Sequence, residues 1–477
     1  MRTSIFISFL CLTLILGSCG SDDWITIFNG ETLDGWTASE NTDSWIIKDG
    51  TIITNGPRSH LFYSGEVMDH RFLNFELMAD VKTESHANSG IYIHTAFQEE
   101  GWPAKGYECQ VFCSKQDADS GEYVENKMTG SLYAVRNTWK SPVPDGEWFN
   151  YHIVVRGKTI QTYINNRLIC EYTEPATIYR SEDWLGRKLS SGTVALQCHD
   201  PDSRVYFKNI KVKPLPDDLP TQGIPQDDEK FEELLIDLAE SNIPMVDLHV
   251  HLKGGLSIET AQANARKYGF TYGYAINCGL QMGFESDAEV AEYLAGYEPL
   301  PQTWHAMQAE GREWLDMFSP ETREKFDYVF TDAMTWTNDN GKRMRLWIEE
   351  ETEVGDPQDF MEQLVTRIET IFSNEPVAIY VNPTYLPDEI MDKYDELWTT
   401  ERMDRVIKVL KDNKVALEIN CRRMIPSPTF IKRAKNAGVK FTFGTNNGGA
   451  NDLGRMEYAL RMVDECGLSS GDIWLPE

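Results

Sequence analysis

A proline-rich segment divides this chain of 477 residues into two parts. It runs from Lys213 to Pro225 and also contains Pro214, Pro216 and Pro220. Proline fixes φ and lacks a backbone N–H, so neither a helix nor a central strand tolerates this density, and a semi-extended linker is expected. A single hydrophobic core rarely exceeds roughly 250 to 300 residues, so a chain of this length favours at least two domains. The predicted boundaries are 24–213 for the first domain, 214–226 for the linker and 227–477 for the second domain.

The first part has the pattern of an all-β domain. Residues 45–53 form two β runs around the turn residues Asp49-Gly50, which is a strong hairpin signal. Residues 153–169 contain three further runs, with turns at Gly157 and at Asn165-Asn166. Short strands at this spacing, with no convincing helix among them, predict a β-sandwich.

The second part alternates short apolar strands with helices. Predicted strands lie near Met245, Tyr274, Trp304, Tyr328, Val377, Val415 and Val439. Helix-start signals, each an N-cap residue alone or followed by proline, are Ser257, Ser286, Ser319-Pro320, Asp356-Pro357 and Ser427-Pro428. Seven strand–helix units predict an α/β barrel of parallel strands, with its site at the C-terminal ends of the strands.

One strand of this second part carries candidate metal ligands. In residues 245–251, Asp247, His249 and His251 alternate with Val246, Leu248 and Val250. Because side chains alternate along a strand, the acid and the two imidazoles share one face. Imidazole is a common ligand of zinc-like cations, so this strand supplies part of a coordination sphere. Packed core histidines are the alternative interpretation.

The first residues resemble a bacterial lipoprotein signal. Arg2 precedes an apolar stretch over residues 5–16, which ends in Leu16-Gly17-Ser18-Cys19. We therefore expect a signal peptide over residues 1–18, lipidation of Cys19 and a short tether over residues 19–23. The predicted location is the cell envelope. The outer membrane is favoured, and the choice between its periplasmic and surface faces stays open.

The net charge of −30 restricts the possible partners. It argues against nucleic acid and against electrostatic attachment to anionic lipid. Membrane contact is therefore expected through the lipid anchor only. A neutral, sugar-like substrate is compatible with this charge.

An ordered series of motifs extends over the whole first part. It comprises Phe28-Asn29-Gly30-Glu31-Thr32-Leu33-Asp34-Gly35-Trp36, Asn88-Ser89-Gly90-Ile91-Tyr92-Ile93-His94, Gly106-Tyr107-Glu108-Cys109-Gln110-Val111, Thr129-Gly130-Ser131-Leu132-Tyr133, Glu147-Trp148-Phe149-Asn150, Gly192-Thr193-Val194-Ala195-Leu196-Gln197-Cys198-His199 and Val205-Tyr206-Phe207-Lys208-Asn209-Ile210. This series resembles the 3-keto-disaccharide hydrolase domain family. The resemblance implies a concanavalin-like jelly-roll sandwich and an oligosaccharide or glycoside substrate.

Strand alternation places the candidate sugar-binding side chains. Glu108 and Gln110 share a face, and so do Gln197 and His199. A carboxylate, amides and imidazoles beside aromatic rings are suited to a polyhydroxylated ring. Half-buried polar positions at a sheet edge are the alternative. The predicted catalytic residues are Glu108, His199 and His94, and the predicted substrate-binding residues are Gln110, Gln197, Tyr92 and Tyr107.

A 3-keto sugar implies elimination rather than direct displacement, because the ketone acidifies the C2 proton and the C1–O bond lies β to the carbonyl. Glu108 is the candidate base, and His199 or His94 the candidate donor or acid. The expected function is envelope-anchored carbohydrate processing, by hydrolysis or elimination and hydration of 3-keto-glycosides. The alternative is a non-catalytic carbohydrate-binding sandwich attached to the barrel.

The second part resembles the PHP (polymerase and histidinol phosphatase) superfamily in the order of its motifs. The resemblance implies a seven-stranded barrel with metal ligands at His249, His251, Glu310 and Glu418, to which Asp332 is added as a candidate. Where the family has an Asp-His pair, a His-Pro and a closing Asp-x-His, this chain has Asn277-Cys278, Asn382-Pro383 and Asn446-Asn447, so amides replace ligands of the family. Three interpretations stay open: one divalent ion (Zn, Mn or Fe) held by those candidates, an emptied barrel that binds a partner or a sugar, and a complete metal-dependent phosphoesterase.

Overall fold

The computed structural model describes residues 23–115, 122–300 and 302–476. The predicted signal peptide and Cys19 lie outside the described residues. In the described part, no helix combines the length and the apolar character that crossing a membrane requires.

The first part consists of strands joined by turns and short 3₁₀ segments. The strands are β1 Ile25–Thr26, β2 Trp36–Ala38, β3 Trp45–Lys48, β4 Thr51–Thr54, β5 Ser59–Tyr63, β6 Phe75–Thr83, β7 Asn88–Thr95, β8 Tyr107–Phe112, β9 Phe149–Arg156, β10 Thr159–Ile164, β11 Arg167–Thr173, β12 Thr193–Cys198 and β13 Val205–Pro214. Both predicted hairpin regions are confirmed. Asp49 and Gly50 take the positive φ values of 53° and 74° that their tight turn requires.

These strands form the predicted sandwich of two antiparallel sheets. The larger sheet has the order β11-β10-β9-β6-β13-β4-β3, with β1 also paired to β13. The smaller sheet has the order β2-β5-β12-β7-β8. Apolar side chains from both sheets, such as Leu61, Phe75, Ile91 and Val155, form one core between them. The opposite face of the smaller sheet carries polar residues, among them Glu108, Gln110 and Gln197.

The second part contains ten helices and nine strands in the described residues. The helices are α1 Glu229–Ser241, α2 Ile258–Tyr268, α3 Asp287–Ala295, α4 Trp314–Met317, α5 Pro320–Arg323, α6 Pro357–Asn374, α7 Tyr394–Leu397, α8 Thr400–Asp412, α9 Pro428–Ala437 and α10 Glu457–Cys466. The strands are β14 Val246–Val250, β15 Thr271–Gly279, β16 Trp304–Glu310, β17 Tyr328–Thr331, β18 Thr335–Thr337, β19 Arg343–Arg345, β20 Ile379–Tyr380, β21 Ala416–Asn420 and β22 Phe441–Gly444.

Seven of these strands form a nearly closed parallel barrel in the order β14-β15-β16-β17-β20-β21-β22. All seven predicted strands are therefore confirmed. β22 returns beside β14, where Thr445 N donates a hydrogen bond of 2.9 Å to Asp247 Oδ1. The predicted N-caps are also confirmed: the side chains of Ser257, Ser286, Ser319, Asp356 and Ser427 each accept a backbone N–H at the start of a helix.

The sandwich and the barrel interlock through the segment that follows Leu132. Trp139 is buried in the barrel core, and its Nε1 donates to Gly269 O at 2.9 Å. Arg136 forms a buried ion pair with Glu232 of α1, and its Nε donates to Lys267 O at 2.9 Å. The two domains therefore share an interface in which side chains of each enter the core of the other.

Candidate functional site

Adjacent strands of the smaller sheet bring polar side chains together on its outer face. Tyr92 of β7 pairs with Glu108 of β8 on one side and with Ala195 of β12 on the other. Gln110 lies two residues beyond Glu108 and therefore on the same face. Gln197 occupies the equivalent position beyond Ala195. Antiparallel pairing thus clusters residues that are far apart in the sequence.

The Glu108 carboxylate is the centre of this cluster. Its side chain is buried, with 5% of the residue exposed. Tyr92 Oη donates to Glu108 Oε2 at 2.8 Å, and Gln197 Nε2 donates to Glu108 Oε1 at 2.9 Å. Arg187 Nη2 lies 3.4 Å from Oε2 and completes a buried ion pair. Burial, followed by the nearby Glu108 charge, raises the pKa of Tyr92 well above its usual value, so this phenol stays a donor.

Gly90 makes room for this carboxylate. It lies two residues before Tyr92 on β7, on the same face of the strand, and pairs with Gln110 on β8. A Cβ atom at Gly90 would lie only 2.6 Å from Glu108 Oε1. The missing side chain lets the carboxylate lie across the neighbouring strand.

Several polar atoms in this cluster have no hydrogen-bond partner among the described residues. They are Arg187 Nη1, Gln110 Oε1 and Gln197 Oε1, all buried. Each belongs to a residue that lines the same cavity as Glu108. Unpaired buried donors and acceptors are costly, so their presence here indicates a site that a polar ligand completes.

A cavity of about 880 Å³ lies over this face of the sheet. On one side, the Trp102 ring lies 4.9 Å from the His199 ring, and His199 Nδ1 donates to Asp200 Oδ2 at 2.6 Å. On another side, Arg187 lies 4.9 Å from the Trp184 ring, which in turn lies 5.9 Å from the Tyr133 ring. Aromatic walls around a polar floor match the requirements of a sugar ring.

The structure brings Glu108, Gln110, Gln197, Tyr92 and His199 together at this cavity, but not His94. His94 has a φ of 52° at an irregularity in the pairing of β7 with β12. That irregularity turns its ring from the cavity towards Phe75, and Nε2 donates to Leu73 O at 2.9 Å. Burial lowers the pKa of His94 to about 4.

Tyr107 also lies away from the cavity, on the opposite face of β8 from Glu108. Its hydroxyl donates to Glu174 Oε1 at 2.7 Å and accepts from Arg180 Nη2 at 3.0 Å. Strand alternation alone accounts for this position. Tyr107 therefore belongs to a buried polar group between the sheets.

Sequence reasoning missed Arg187, Trp184, Trp102 and His60. The first three lie outside the strands, Trp184 at the end of a short 3₁₀ helix and the other two in loops, where no periodicity marks a residue as facing the site. His60 lies on β5 opposite Gln197, and its ring is 5.4 Å from the Tyr92 ring. A histidine directly before the run Leu61-Phe62-Tyr63 was the available signal for it. Burial lowers the pKa of His60 to about 3.

A second polar cluster lies at the C-terminal ends of the barrel strands. His249 Nδ1 donates to Glu418 Oε1 at 2.7 Å, and Asn382 N donates to Glu418 Oε2 at 2.6 Å. Asn382 Nδ2 donates to Asp332 Oδ2 at 3.2 Å, and Gln308 Nε2 donates to Glu310 Oε1 at 2.8 Å.

The remaining two residues of the barrel motif are also engaged by protein groups. Asp247 accepts from the backbone and the hydroxyl of Thr445, although burial raises its pKa to about 6. His251 Nδ1 donates to Ala275 O at 3.1 Å. Burial, with a smaller contribution from His249, lowers the pKa of His251 to about 3.

The ligand-type side chains of this cluster are not grouped as a metal centre requires. A structural or catalytic zinc site takes three or four protein ligands. In the parts of the chain that the structure describes, no three His, Cys, Asp or Glu side chains gather as such a group. The side-chain amides of Gln308 and Asn382 instead donate hydrogen bonds to Glu310 and Asp332. The residues as placed therefore do not fit the ion that one interpretation of the barrel requires.

Known proteins are similar to the sandwich. Residues 23–213 match the family model described as the 3-keto-alpha-glucoside-1,2-lyase-like domain. The sandwich is similar to this family and is therefore called the lyase-like domain. A protein of Bacteroides thetaiotaomicron named 3-keto-disaccharide hydrolase is 28% identical, over 41% of this chain and 79% of that protein. The chain thus carries a lyase-like domain similar to a carbohydrate hydrolase.

Solved structures are similar to each half. A candidate glycosyl hydrolase of Parabacteroides distasonis is 24% identical, with a TM-score of 0.34, and 40% of this chain and 94% of that chain are covered. The histidinol phosphate phosphatase of Lactococcus lactis, solved with zinc, L-histidinol and phosphate, is 14% identical, with a TM-score of 0.34. The match covers 48% of this chain and 98% of the phosphatase chain.

Proposed function

We propose that the lyase-like domain binds a 3-keto-glycoside in the cavity over the smaller sheet and cleaves its glycosidic bond by elimination followed by hydration. The observation that carries this proposal is Glu108, a buried carboxylate on the cavity floor beside unpaired polar atoms of Arg187 and Gln197. A base held in fixed geometry next to a cationic donor is what removal of a proton α to a ketone requires.

In the first step, Glu108 takes the C2 proton and the C–H electron pair passes to the C3 oxygen as an enolate. Arg187 is the proposed stabiliser of that oxygen, because its Nη1 has no protein partner among the described residues. Tyr92 and Gln197 hold the carboxylate by their hydrogen bonds of 2.8 and 2.9 Å. Preorganised donors of this kind stabilise developing charge without reorganising.

In the second step, the enolate re-forms the ketone, C1 and C2 become doubly bonded, and the C1–O bond breaks. The departing oxygen takes a proton from an acid, for which His199 is the candidate. Its Nδ1 is paired with Asp200, which leaves Nε2 for the substrate. Addition of water then places OH on C1 and H on C2, so the net reaction is hydrolysis. If release precedes water addition, the same site acts as a lyase.

The test is turnover of a 3-keto-glycoside by the full chain and by Glu108→Gln. Glutamine preserves the shape of the side chain but cannot take the C2 proton, so turnover should fall by about 10²- to 10⁴-fold, the usual contribution of a general base. Product formation is followed by chromatography, and the free energy of unfolding by denaturant titration. Glu182→Gln, the same change at an exposed carboxylate near the cavity, is the matched control and should keep wild-type turnover.

Equal rates for Glu108→Gln and wild type would remove Glu108 from the mechanism. If wild-type protein binds the 3-keto-glycoside but leaves it intact, the sandwich is a carbohydrate-binding domain instead. The exposed Trp102 ring, at 43% exposure, favours this second candidate, since stacking platforms of binding modules are similarly open.

A further inference from the structure

The sandwich segment Glu122–Lys127 lines the cavity and also contacts the barrel. Glu122, Tyr123, Val124 and Glu125 line the cavity, although the segment lies between strands of the sandwich and outside both sheets. The backbone of Val124 and Asn126 in this segment is hydrogen-bonded to residues of the barrel.

Three barrel residues hold the backbone of this segment. Asn242, which ends α1, accepts from Asn126 N at 3.2 Å through Oδ1, and its Nδ2 donates to Val124 O. Ser470 Oγ accepts from Val124 N at 3.2 Å. Gly471 lies so close that a Cβ atom there would be 1.9 Å from Glu122 O. Asn242 is 2% exposed, so these contacts are shielded from water.

The clamped segment presents a tyrosine–carboxylate group to the cavity. Tyr123 Oη and Tyr133 Oη donate to Glu125 Oε2 at 3.0 and 2.9 Å. The Lys127 ammonium lies 3.6 Å from Glu125 Oε1 and 4.6 Å from the centre of the Tyr133 ring. Glu125 is thus fixed from several sides, whereas the Tyr123 ring is 70% exposed.

This group is connected to Glu108 by a continuous row of contacts. The Tyr133 ring contacts the Trp184 ring, which stacks on Arg187, which pairs with Glu108. A ring bound over Glu108 therefore leaves the clamped segment beside whatever is attached to it. A sugar unit can stack on a flat aromatic ring and form hydrogen bonds with the polar groups at its edge.

We propose that the segment Glu122–Lys127, held by Asn242, Ser470 and Gly471 of the barrel, is the binding surface for the second sugar of a disaccharide or larger substrate. This inference rests on the proposed function for the position of the reacting ring. It makes the barrel a support that determines which leaving groups the lyase-like domain accepts. Asn242 acts as a positioning residue, and Tyr123 contacts the sugar.

The test compares two substrates, a 3-keto-disaccharide and a methyl 3-keto-glucoside, on the full chain. Asn242→Gly removes the clamp but keeps the left-handed backbone, since φ at Asn242 is 62° and glycine adopts it freely. Tyr123→Ala removes the exposed ring. Both variants should raise KM for the disaccharide about tenfold, the loss expected for one aromatic or polar contact, with kcat unchanged. The methyl glycoside should show wild-type constants.

The matched control is Asn166→Gly, the same substitution at φ 64° in the β10–β11 turn. It should leave both substrates unaffected. Hydrogen exchange adds a readout independent of turnover: Asn242→Gly should speed exchange of the Asn126 amide, whose N–H loses its acceptor, and leave the strands of the sandwich unchanged. Variants that affect both substrates equally, or neither, would overturn the proposal while the proposed function stands.

If wild-type protein cleaves neither substrate, the proposed function fails, and titration calorimetry of the disaccharide then decides the further inference. Weaker disaccharide binding by both variants, with equal binding of the methyl glycoside, would support the clamped surface. Equal disaccharide binding by wild type and variants, or no binding by wild type, would overturn it.

Discussion

At the scale of single residues, His94 shows the limit of strand alternation. Counting by twos from Tyr92 predicts that its ring faces the cavity. A single residue of irregular pairing, with φ of 52°, turns the ring into the protein instead. There, Ser190 N donates to Nδ1 at 3.3 Å while Nε2 donates to Leu73 O. The ring is thus a buried neutral group held by two backbone contacts.

We predict that His94→Gln changes the acid stability of the protein and not its turnover. The pKa of His94 is about 4 in the folded chain against an ordinary value of 6.5. Above pH 6.5 the His94 ring is neutral in both the folded and the unfolded chain, so the free energy of unfolding has its full value. As the pH falls from 6.5 towards 4, the unfolded chain gains a proton that the folded chain lacks, so stability falls by up to about 1.4 kcal/mol per pH unit.

Glutamine keeps a donor for Leu73 O but does not titrate, so the variant should lose less stability over this pH range. Denaturant titrations at pH 7.0, 6.0, 5.0 and 4.0 measure the difference in slope, and turnover at pH 7 should stay within about twofold of wild type. A large loss of turnover with unchanged stability would instead place His94 in the mechanism.

At the scale of elements, the close pairing of β7 with β8 determines where the carboxylate lies. Four consecutive pairs, from Ser89–Val111 to Tyr92–Glu108, keep the strands in register. That register places Gly90 beneath Glu108 Oε1. The absence of one side chain on β7 is therefore as important for the site as the presence of the acid on β8.

We predict that Gly90→Ala displaces the Glu108 side chain and lowers turnover at least tenfold. The added methyl group would meet Oε1 at 2.6 Å, and relief requires either a new rotamer of Glu108 or a shift of β8. Overpacking of this kind costs about 1–3 kcal/mol of stability. Steady-state kinetics and thermal unfolding measure both effects.

Gly296→Ala provides the matched control, because a Cβ atom there meets only Tyr293 O at 3.7 Å. Wild-type turnover in Gly90→Ala would mean that Glu108 works equally well in another position, and would contradict the geometric role assigned to this glycine.

At the scale of the whole molecule, the two domains are held together by a packed interface. Trp139 of the sandwich fills the barrel core, and Ile236 of α1 packs into the core of the sandwich. The ion pair between Arg136 and Glu232 is buried within this interface. Removing one partner of such a pair leaves a buried charge without a counter-ion, so substitution of Arg136 or Glu232 alone should destabilise the interface.

Location also belongs to the whole molecule, and we propose that Cys19 carries a lipid anchor. Cys19→Ser should move the protein from the membrane fraction to the soluble fraction, because serine has no thiol to which a lipid could be attached. Cys466→Ser, in α10, should stay with the membrane. Fractionation followed by immunoblotting measures both variants, and a Cys19→Ser protein that remains in the membrane fraction would contradict the lipoprotein assignment.

The sequence alone determined the features that depend on short-range interactions. Hairpin turns at Asp49-Gly50, N-caps such as Ser257 and Asp356, and the seven barrel strands follow from local backbone preferences and side-chain periodicity. The shared face of Glu108 and Gln110 follows in the same way, since alternation along a strand needs no knowledge of its neighbours.

Only the tertiary structure decided how these features combine into a site. Arg187 and Trp184 reach the cavity from outside the strands, His94 turns away at an irregular pair, and the barrel holds Glu122–Lys127 against the sandwich. Each depends on contacts between segments remote in sequence, whose approach is set by packing of the two cores. The amides around His249 were visible in the sequence, but their hydrogen bonds to Glu310 and Asp332 needed the closed barrel, which brings the ends of separate strands within bonding distance.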